Sequence, residues 1–392
     1  MANTISFIGK IMLGKDSDRF HPVDRRTFAS SWTNTTVKFN CISDTNRVMC
    51  TVQGGRWQSD AKNVIKTFSK PSTDANGNTT KGEMIDIPWA KRFDADQLDR
   101  IVDYRKFICD TGDSRMRYKL QNVVDGKAEI DDALIAAGVD SVEAAKVALE
   151  KSKAKRREFA SEWDFAEHLA KVLQSGKYAN KLFKLTGTYD IAYNADKQRY
   201  YTTYHVNRVF LMPDDAVPET TLKVDFFFSE DSFDDSQYEE TGKAYVNGWV
   251  NYYDSSVKAN GFMPLTVTVQ ENEKKIAGLK RKFSCESDEI KQVGLTLKVV
   301  DGSERVEITI DMLTEEEQED IACGILDFEE VKRAMNNSVV GERVSELRFV
   351  ELTPRKSTVQ DTVYHLEDMH EARAKVVDEV EDIFASDDED DL

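Results

Sequence analysis

Aromatic and cationic residues are interleaved in the first third of the sequence, and together they offer one kind of chemistry. An aromatic ring can stack on an unpaired nucleobase, which is worth about 1–3 kcal/mol per base, while a neighbouring cation pairs with a phosphate. The interleaved segments are Arg56-Trp57, Trp89-Ala90-Lys91-Arg92-Phe93, Tyr104-Arg105-Lys106 and Arg115-Met116-Arg117-Tyr118-Lys119. Residue types in this arrangement suit contact with single-stranded nucleic acid.

Individual residues can be assigned to the two roles. Four rings lie at strand ends or in basic segments, which favours stacking on bases: Trp57, Trp89, Phe93 and Tyr104. The predicted phosphate contacts are Lys10, Lys38, Arg47, Arg56, Lys91, Arg92, Arg105, Arg115 and Arg117. The alternative for any ring is a place in the core, which strand alternation favours for Phe39, Phe68 and Phe107.

A basic run from Lys151 to Arg157 follows a predicted helix, and two interpretations of it stay open. Cations at a helix C-terminus interact favourably with the helix dipole, so the run could simply be a solvated helix end. The same charges could also contact phosphates.

Net charge differs between the two parts of the chain. Residues 1–120 hold 20 Lys and Arg against 14 Asp and Glu, a net charge of +6, whereas the whole chain carries −18, which leaves −24 for residues 121–392. A cationic region inside an anionic protein predicts an extended anionic ligand such as a nucleic-acid backbone.

The sequence ends in five acidic residues followed by one apolar residue, namely Asp387, Asp388, Glu389, Asp390, Asp391 and then Leu392. Like charges repel one another, so we expect this tail to be disordered. Because it cannot bind a phosphate backbone, its predicted role is to recruit other proteins, or to occupy the basic surface of its own chain when nucleic acid is absent.

Length and composition predict a globular protein of two or three domains, since the chain has 392 residues of which 40% are hydrophobic. We expect no signal peptide and no membrane span. The five cysteines are widely spaced, which predicts neither disulfides nor a zinc site. These features predict a cytoplasmic protein, in the cytoplasm of the host cell if the chain is viral.

Periodicity predicts most of the secondary structure. Strands are predicted over 5–13, 35–42, 47–54, 64–68, 104–109, 182–193, 198–211, 222–228, 244–253, 265–270 and 344–352, with a hairpin turn at Ser43-Asp44-Thr45-Asn46 and another at Asn194-Ala195-Asp196-Lys197. Helices are predicted within 128–174, where Ser141 and Ser161 are the expected N-caps, and over 314–335. A further hairpin is predicted over 294–311 around Asp301-Gly302-Ser303.

These elements predict a mainly β fold with helical insertions, of the α+β class. The predicted organisation has four parts: an N-terminal β domain that binds nucleic acid over 1–125, a helical connector over 126–176, a second β domain with an appended hairpin and helices over 177–360, and an amphipathic helix with the disordered acidic tail over 361–392.

Three segments resemble parts of known single-stranded DNA-binding proteins. The residues Phe7-Ile8-Gly9-Lys10, a long loop and a hairpin ending in Gly54-Gly55-Arg56-Trp57 resemble the opening of an oligonucleotide-binding (OB) barrel. The segments 176–189 and 198–209 are similar to the first strands of bacteriophage OB modules. The acidic end resembles the tails of these proteins, although it closes in Leu392 where the bacterial proteins end in Pro-Phe.

The resemblance covers residues 5–57 and 176–211, and it is to the single-stranded DNA-binding proteins of bacteria and, more closely, of tailed bacteriophages. It implies an OB-like barrel at the N-terminus and a second OB-like β domain. It also implies single-stranded DNA as a partner, and replication or recombination proteins as partners of the tail.

Other chemistries fit the sequence less well. The segment from Gly9 to Asp16 has the spacing of a phosphate-binding loop, but Asp16 stands where that loop needs Ser or Thr for Mg²⁺. Residues 74–78 lack the pattern of a calcium loop. Glu330-Val331-Lys332 resembles the ExK of metal-dependent nucleases but lies on a predicted helix. We therefore expect no cofactor, no metal and no enzymatic activity.

The expected function is sequence-tolerant binding of single-stranded DNA during replication or recombination, with the tail as a recruitment arm and no membrane partner. Two alternatives stay open. One is a structural or protein-interaction protein of a virion, whose β domains would be assembly surfaces. The other is a metal-dependent nuclease that requires Glu330.

Overall fold

Strands dominate the fold because most of the chain outside residues 58–181 alternates buried apolar with exposed polar side chains. The computed structural model describes residues 3–43, 46–73, 79–287, 289–305, 309–310, 313–335, 340–353 and 364–373. Its strands are β1 (Thr4–Leu13), β2 (Val23–Thr27), β3 (Trp32–Ser43), β4 (Asn46–Trp57), β5 (Val64–Phe68), β6 (Ser72–Thr73), β7 (Thr79–Thr80), β8 (Met84–Pro88), β9 (Phe107–Asp110), β10 (Arg156–Phe159), β11 (Leu182–Asn194), β12 (Arg199–Leu211), β13 (Glu219–Phe228), β14 (Phe233–Asp234), β15 (Ala244–Asp254), β16 (Ala259–Val269), β17 (Lys291–Arg305) and β18 (Val340–Thr353).

Helices are shorter and lie mostly between the strands. They are α1 (Ala95–Arg100), α2 (Ser114–Val124), α3 (Asp132–Ala136), α4 (Val142–Lys153), α5 (Glu162–Gln174), α6 (Tyr238–Thr241), α7 (Glu273–Lys282), α8 (Glu315–Ala322) and α9 (Phe328–Met335). The predicted caps of α4 and α5 are confirmed: Ser141 Oγ accepts from the Ala144 N–H, and Ser161 Oγ accepts from the Asp164 N–H. The protein is thus mainly β with several helices, as predicted.

Five strands close into what we call the first barrel. Strand β1 pairs with β3 and β11, β3 with β4, β4 with β12, and β12 with β11. Every pair is antiparallel except β4 with β12, which is parallel. Helix α5 lies between β4 and β11 in the sequence and packs on β3 and β4. Side chains such as Phe7, Phe39 and Cys50 fill the interior.

Five later strands repeat this arrangement as the second barrel. Strand β13 pairs with β15 and β17, β15 with β16, β16 with β18, and β18 with β17. The pair of β16 with β18 is again parallel, and α7 again lies between the third and fourth strands. The barrels share one continuous sheet, because β1 also pairs with β13, and Asn46 of β4 pairs with Gly302 of β17.

These pairings cross the predicted domain boundaries. Strands β11 and β12, which belong to the predicted second domain, complete the barrel that β1 begins. Residues 58–161 form an insertion between β4 and α5. This insertion has two small cores of its own, one among α2, α3 and α4 and one around the β5–β8 hairpin.

The predicted hairpin around Asp301-Gly302-Ser303 is wrong. Strand β17 runs through these residues, which pair with Ser345, Val344 and Arg343 of β18. Local turn propensity is overridden because β18 pairs with β17 at these three residues and on either side of them.

The predicted amphipathic helix over 361–384 is described only at Tyr364–Arg373, where Leu366–Asp368 form a single 3₁₀ turn. The acidic tail from Asp387 to Leu392 lies outside the described residues. Among the helices that are described, none has the length and apolar composition needed to span a membrane.

Candidate nucleic-acid interface

The outward side of β3 and β4, which we call the strand face, carries polar, cationic and aromatic side chains. Alternate residues such as Val37, Phe39 and Cys50 point inward and are at most 1% exposed. Because successive side chains point to opposite faces of a strand, the residues between them point outward. The outward residues are Trp32, Asn34, Thr36, Lys38, Asn40 and Ile42 on β3, and Arg47, Met49, Gln53, Gly55 and Trp57 on β4.

Two tryptophans meet at one end of the strand face. Trp32 and Trp57 are directly paired, with ring centroids 5.2 Å apart and ring planes at 72°. Gly55 permits this contact, since a Cβ there would lie 2.3 Å from Trp32 Cζ2. Together with Phe28, which is 50% exposed, the two rings line a cavity of about 530 Å³ that we call the aromatic cleft. Its other lining residues are Ser30, Asn34, Gln53, Gly54 and Glu162.

Local hydrogen bonds position the rings of the cleft. The side chain of Asn63 is buried, accepts from the Trp57 N–H at 2.8 Å and donates to the Trp57 carbonyl at 2.8 Å. The turn before β3 is closed by a bond from the Phe28 N–H to the Trp32 carbonyl at 2.8 Å, and it places Ser31 at a φ of 66°. Lys62 adds a cation, with its Nζ 5.6 Å from the Trp57 ring centroid.

Three predicted phosphate contacts lie at the other end of the strand face or along it. Ile42 pairs with Lys10 of β1 on one side and with Arg47 on the other, so the two cations flank it on one surface. Lys38 lies further along β3 toward the cleft. None of the three cations has an ion-pair partner among the residues that the structure describes. They are therefore available to an anionic ligand.

One carboxylate of the cleft contacts a histidine. Glu162 Oε1 contacts His205 Nε2, and Asp190 Oδ2 lies 3.6 Å from His205 Nδ1. Burial lowers the pKa of His205, but the hydrogen bond and charge of Glu162 and the charge of Asp190 raise it, and the net shift is upward. A protonated His205 offsets the negative charge that Glu162 would otherwise present to a phosphate.

Several predicted contacts are instead engaged inside the protein. Trp89 is 5% exposed, and its ring is covered by Arg92, whose Cζ lies 4.1 Å from the ring centroid. Arg92 Nε also donates to Asp164 Oδ2 at 2.8 Å. Arg56 lies 4.5 Å from the Trp163 centroid. The Trp89 ring and the Arg92 guanidinium, which the sequence predicts as ligand contacts, therefore contact each other inside the protein. We withdraw Trp89 from the predicted stacking residues.

The two predicted arginines of α2 form ion pairs within the chain. Arg117 makes two hydrogen bonds to the buried Asp110, at 2.7 and 2.8 Å, and a third to the Ser152 carbonyl at 3.1 Å. The hydrogen bond to Asp110 raises the pKa of Arg117. Arg115 pairs at the surface with Asp215 at 3.0 Å. Arg117 is thus a structural anchor of the insertion and is not free to contact a phosphate.

The remaining predicted residues lie on the surface of the insertion. Phe93 and Tyr104 are 55% and 65% exposed, and Lys91 and Arg105 are exposed as well. The 3₁₀ turn Trp89–Lys91 contacts the turn Asp60–Lys62. Stacking and phosphate contacts at these four positions stay predictions.

The sequence did not predict four residues that form or position the aromatic cleft, namely Phe28, Trp32, Lys62 and Asn63. A usable signal existed for Trp32: the predicted turn places Ser43 opposite Asn46, and counting outward along both strands places Trp32 opposite Trp57. The sequence carried no comparable signal for Asn63, because a single Asn after a strand is typical of any turn.

Part of the corresponding face of the second barrel is occupied by the chain itself. Tyr364 packs edge-on against Phe227 and Phe262, at 5.2 and 5.6 Å between centroids. The Phe262 N–H donates to the His370 carbonyl at 2.7 Å, and the Ala372 N–H donates to Tyr252 Oη at 3.1 Å. Residues 364–373 therefore contact the outward face of β15 and β16, the strands that match β3 and β4, near Phe262 and Trp249. Tyr253 and Asn247, on the same face of β15, stay exposed.

Comparison with known proteins gives only distant similarities. No protein-family model and no curated protein matches the sequence. Two solved structures of the single-stranded DNA binding protein from Thermus aquaticus overlap this chain, the wild type with a TM-score of 0.31 at 9% identity and a deletion mutant with a TM-score of 0.32 at 8% identity. Each overlap covers 92% of this chain, and 96% and 98% of those chains respectively. Overlaps at this level establish neither a shared fold nor a shared function, and we infer neither from them.

Proposed function

We propose that this protein binds single-stranded DNA on the strand face of the first barrel, without strong sequence preference. The observation that carries the proposal is the aromatic cleft at one end of a surface whose cations have no ion-pair partner among the described residues. A base would stack on Trp57 or Trp32 while neighbouring phosphates approach Lys38, Arg47 and Lys10. Stacking and charge act on every base alike, which gives sequence tolerance.

The first barrel carries this role because its strand face carries the aromatic cleft. On the second barrel, Tyr364 occupies part of the matching surface, where it packs on Phe262. A strand would have to displace Tyr364 before it could reach Phe262. We therefore assign DNA binding to the first barrel and leave the second as its rigid neighbour in the shared sheet.

We infer further that both barrels are of the OB type. Support comes from the pairing order, which is the same in both, from the parallel pairing of the third and fifth strands, and from the helix between the third and fourth. An OB barrel is a five-stranded Greek-key barrel that binds oligonucleotides on its second and third strands, and these strands are β3 and β4 in the first barrel.

The wider role that we propose is non-catalytic protection of unpaired strands in DNA replication or recombination, in a bacteriophage, with partner proteins recruited by the acidic tail. The tail's charge supports this assignment, since five consecutive carboxylates suit a basic protein surface. Deleting residues 385–392 should abolish capture of such partners and tighten binding to oligo-dT at low salt. Unchanged affinity after the deletion would rule out competition between the tail and DNA.

Tryptophan fluorescence tests the binding site directly. The chain has five tryptophans, and only Trp32 and Trp57 line the cleft. Titration with oligo-dT should quench the wild-type fluorescence. The double variant Trp32→Phe/Trp57→Phe should still bind but lose most of the quenching, whereas Trp249→Phe should retain it.

Truncation then measures the energy of stacking. Trp57→Ala should weaken binding by about 1–3 kcal/mol, which corresponds to roughly 5- to 150-fold in affinity. The proposal fails if the wild type does not bind oligo-dT, or if quenching persists in the variant that lacks both cleft tryptophans.

A further inference from the structure

A second cavity, which the proposed function does not use, lies between the insertion and α5. We call it the insertion cavity; its volume is about 540 Å³. Its lining residues are Phe93, Ala95, Leu98, Asp99, Arg156, Arg157, Glu158, Phe159 and His168. The end of the basic run from Lys151 to Arg157 thus reaches a concave site and is more than a solvated helix end.

Phe93 offers a fixed aromatic surface at this cavity. The guanidinium of Arg92 lies 4.3 Å from the Phe93 centroid and supports the ring from one side. Arg92 is itself held by Asp164 at 2.8 Å and by the Trp89 carbonyl at 2.8 Å. The ring nevertheless remains 55% exposed, so a base can stack on it at little entropic cost.

The charges around the cavity favour a phosphate near Arg157. Arg157 is exposed and has no ion-pair partner in the described ranges, whereas Arg156 is paired with Glu158 at 2.8 Å. Glu158 also accepts from Lys106 at 3.0 Å, so its charge is compensated. Asp99 is the remaining carboxylate, and it can accept from the N–H groups of a base.

His168 closes the cavity from the side of α5. Its ring packs on Phe159 with centroids 5.3 Å apart. Burial and the positive charges of Arg157 and Lys171 lower the pKa of His168. The imidazole is therefore a neutral hydrogen-bonding group in a positive field.

One helix connects the two cavities. Glu162 lines the aromatic cleft and His168 lines the insertion cavity, and both belong to α5. Six residues of helix correspond to a rise of about 9 Å. The two residues differ by about 240° around the helix axis, so a strand that occupies both cavities passes around α5.

We propose that the insertion cavity is a second nucleotide subsite for the same DNA strand, with a base stacked on Phe93 and its phosphate on Arg157. This inference rests on the proposed function, because it extends the path of the strand that binds the aromatic cleft. The insertion then lengthens the binding site beyond what the barrel alone covers.

Probes of two lengths distinguish binding at the aromatic cleft from binding at the insertion cavity. Binding of oligo-dT of about six and about 20 nucleotides should be measured by anisotropy for the wild type and for Phe93→Leu/Arg157→Gln. The double variant should bind the long probe about tenfold more weakly and the short probe as the wild type does. Trp57→Ala should weaken binding of both probes.

The matched controls are Arg281→Gln, which removes an exposed arginine from α7, and Tyr253→Leu, which removes an exposed ring from the second barrel. Both should bind the long probe as the wild type does, and thermal melting checks that every variant is folded. Equal affinity of the double variant and the wild type for the long probe overturns the subsite while leaving the cleft intact. If the wild type binds neither probe, the proposed function and the subsite both fail.

Discussion

Trp57 is held in place through its backbone, and this makes Asn63 a positioning residue. Asn63→Ala removes both hydrogen bonds to Trp57 and leaves backbone groups without partners, which should cost about 1–3 kcal/mol of stability. The freed ring should also bind oligo-dT several-fold more weakly. Asn63→Asp keeps an acceptor for the Trp57 N–H and should bind better than the Ala variant. Lower stability with unchanged affinity in both variants would show that Asn63 serves the fold alone.

The Glu162–His205 contact predicts a pH dependence. Because the folded pKa of His205 is raised above its ordinary value of about 6.5, the pair contributes its full stability below that pH. The contribution is lost as the pH rises through the folded pKa. An NMR titration of the imidazole signals should place the pKa of His205 above that of His168, whose pKa is lowered. A pKa of His205 below that of His168 would contradict the proposal that His205 offsets the charge of Glu162 at the cleft.

The interleaved rings and cations show that residue types alone cannot distinguish a ligand-binding site from a contact within the protein. Arg56-Trp57 and Trp89 to Phe93 look alike in the sequence, yet Trp57 lines an open cleft while Trp89 is buried beneath Arg92. A cation–π contact within the protein needs the same two residue types as a ligand site. Only the three-dimensional placement distinguishes the two.

At the scale of elements, the β3–β4 hairpin was predictable because it is local. Its turn residues and alternation fix the register, and the inward Val37, Phe39 and Cys50 follow from it. The predicted strands ended at residues 35 and 54, however, so both edges of the aromatic cleft were left out. Strand ends are set by tertiary partners, here Asn63 and the turn before β3, which local periodicity does not report.

The anchoring of α2 gives a prediction about stability. Arg117→Ala removes the two hydrogen bonds that the guanidinium donates to the buried Asp110, which should destabilise the protein by about 3 kcal/mol. Arg115→Ala on the same helix breaks an exposed pair and should change stability by at most about 0.5 kcal/mol. Urea denaturation measures both values, and binding to oligo-dT should be the same for the two variants. A binding loss confined to Arg117→Ala in the folded protein would restore it as a phosphate contact.

At the scale of the whole molecule, the closure of the first barrel depends on pairing between strands that are far apart in the sequence. The sequence alone could not predict this pairing. The first barrel is completed by β11 and β12 after an insertion of about a hundred residues, and no local pattern specifies that return. The class of fold and most elements were nevertheless predictable, because each strand carries its own alternation. The charge separation was also visible in composition. Lys38 and Arg47 on the strand face and Lys10 beside it have no ion-pair partner in the part of the chain that the structure describes.

The two barrels differ in what lies on their matching strands. Tyr364 packs on Phe262 of β16, whereas the aromatic cleft lies at the end of β3 and β4. This difference supports the assignment of DNA binding to the first barrel.

The salt dependence of binding tests this account most directly. Each phosphate contact on a single strand contributes about 0.7 to the slope of log affinity against log salt concentration. Removing two contacts with Lys38→Gln/Arg47→Gln should reduce the magnitude of the slope by about 1.4. The control Lys274→Gln/Arg281→Gln, which removes two exposed cations from α7, should leave the slope unchanged. Equal slopes for the wild type and the strand-face variant would contradict DNA binding on the first barrel.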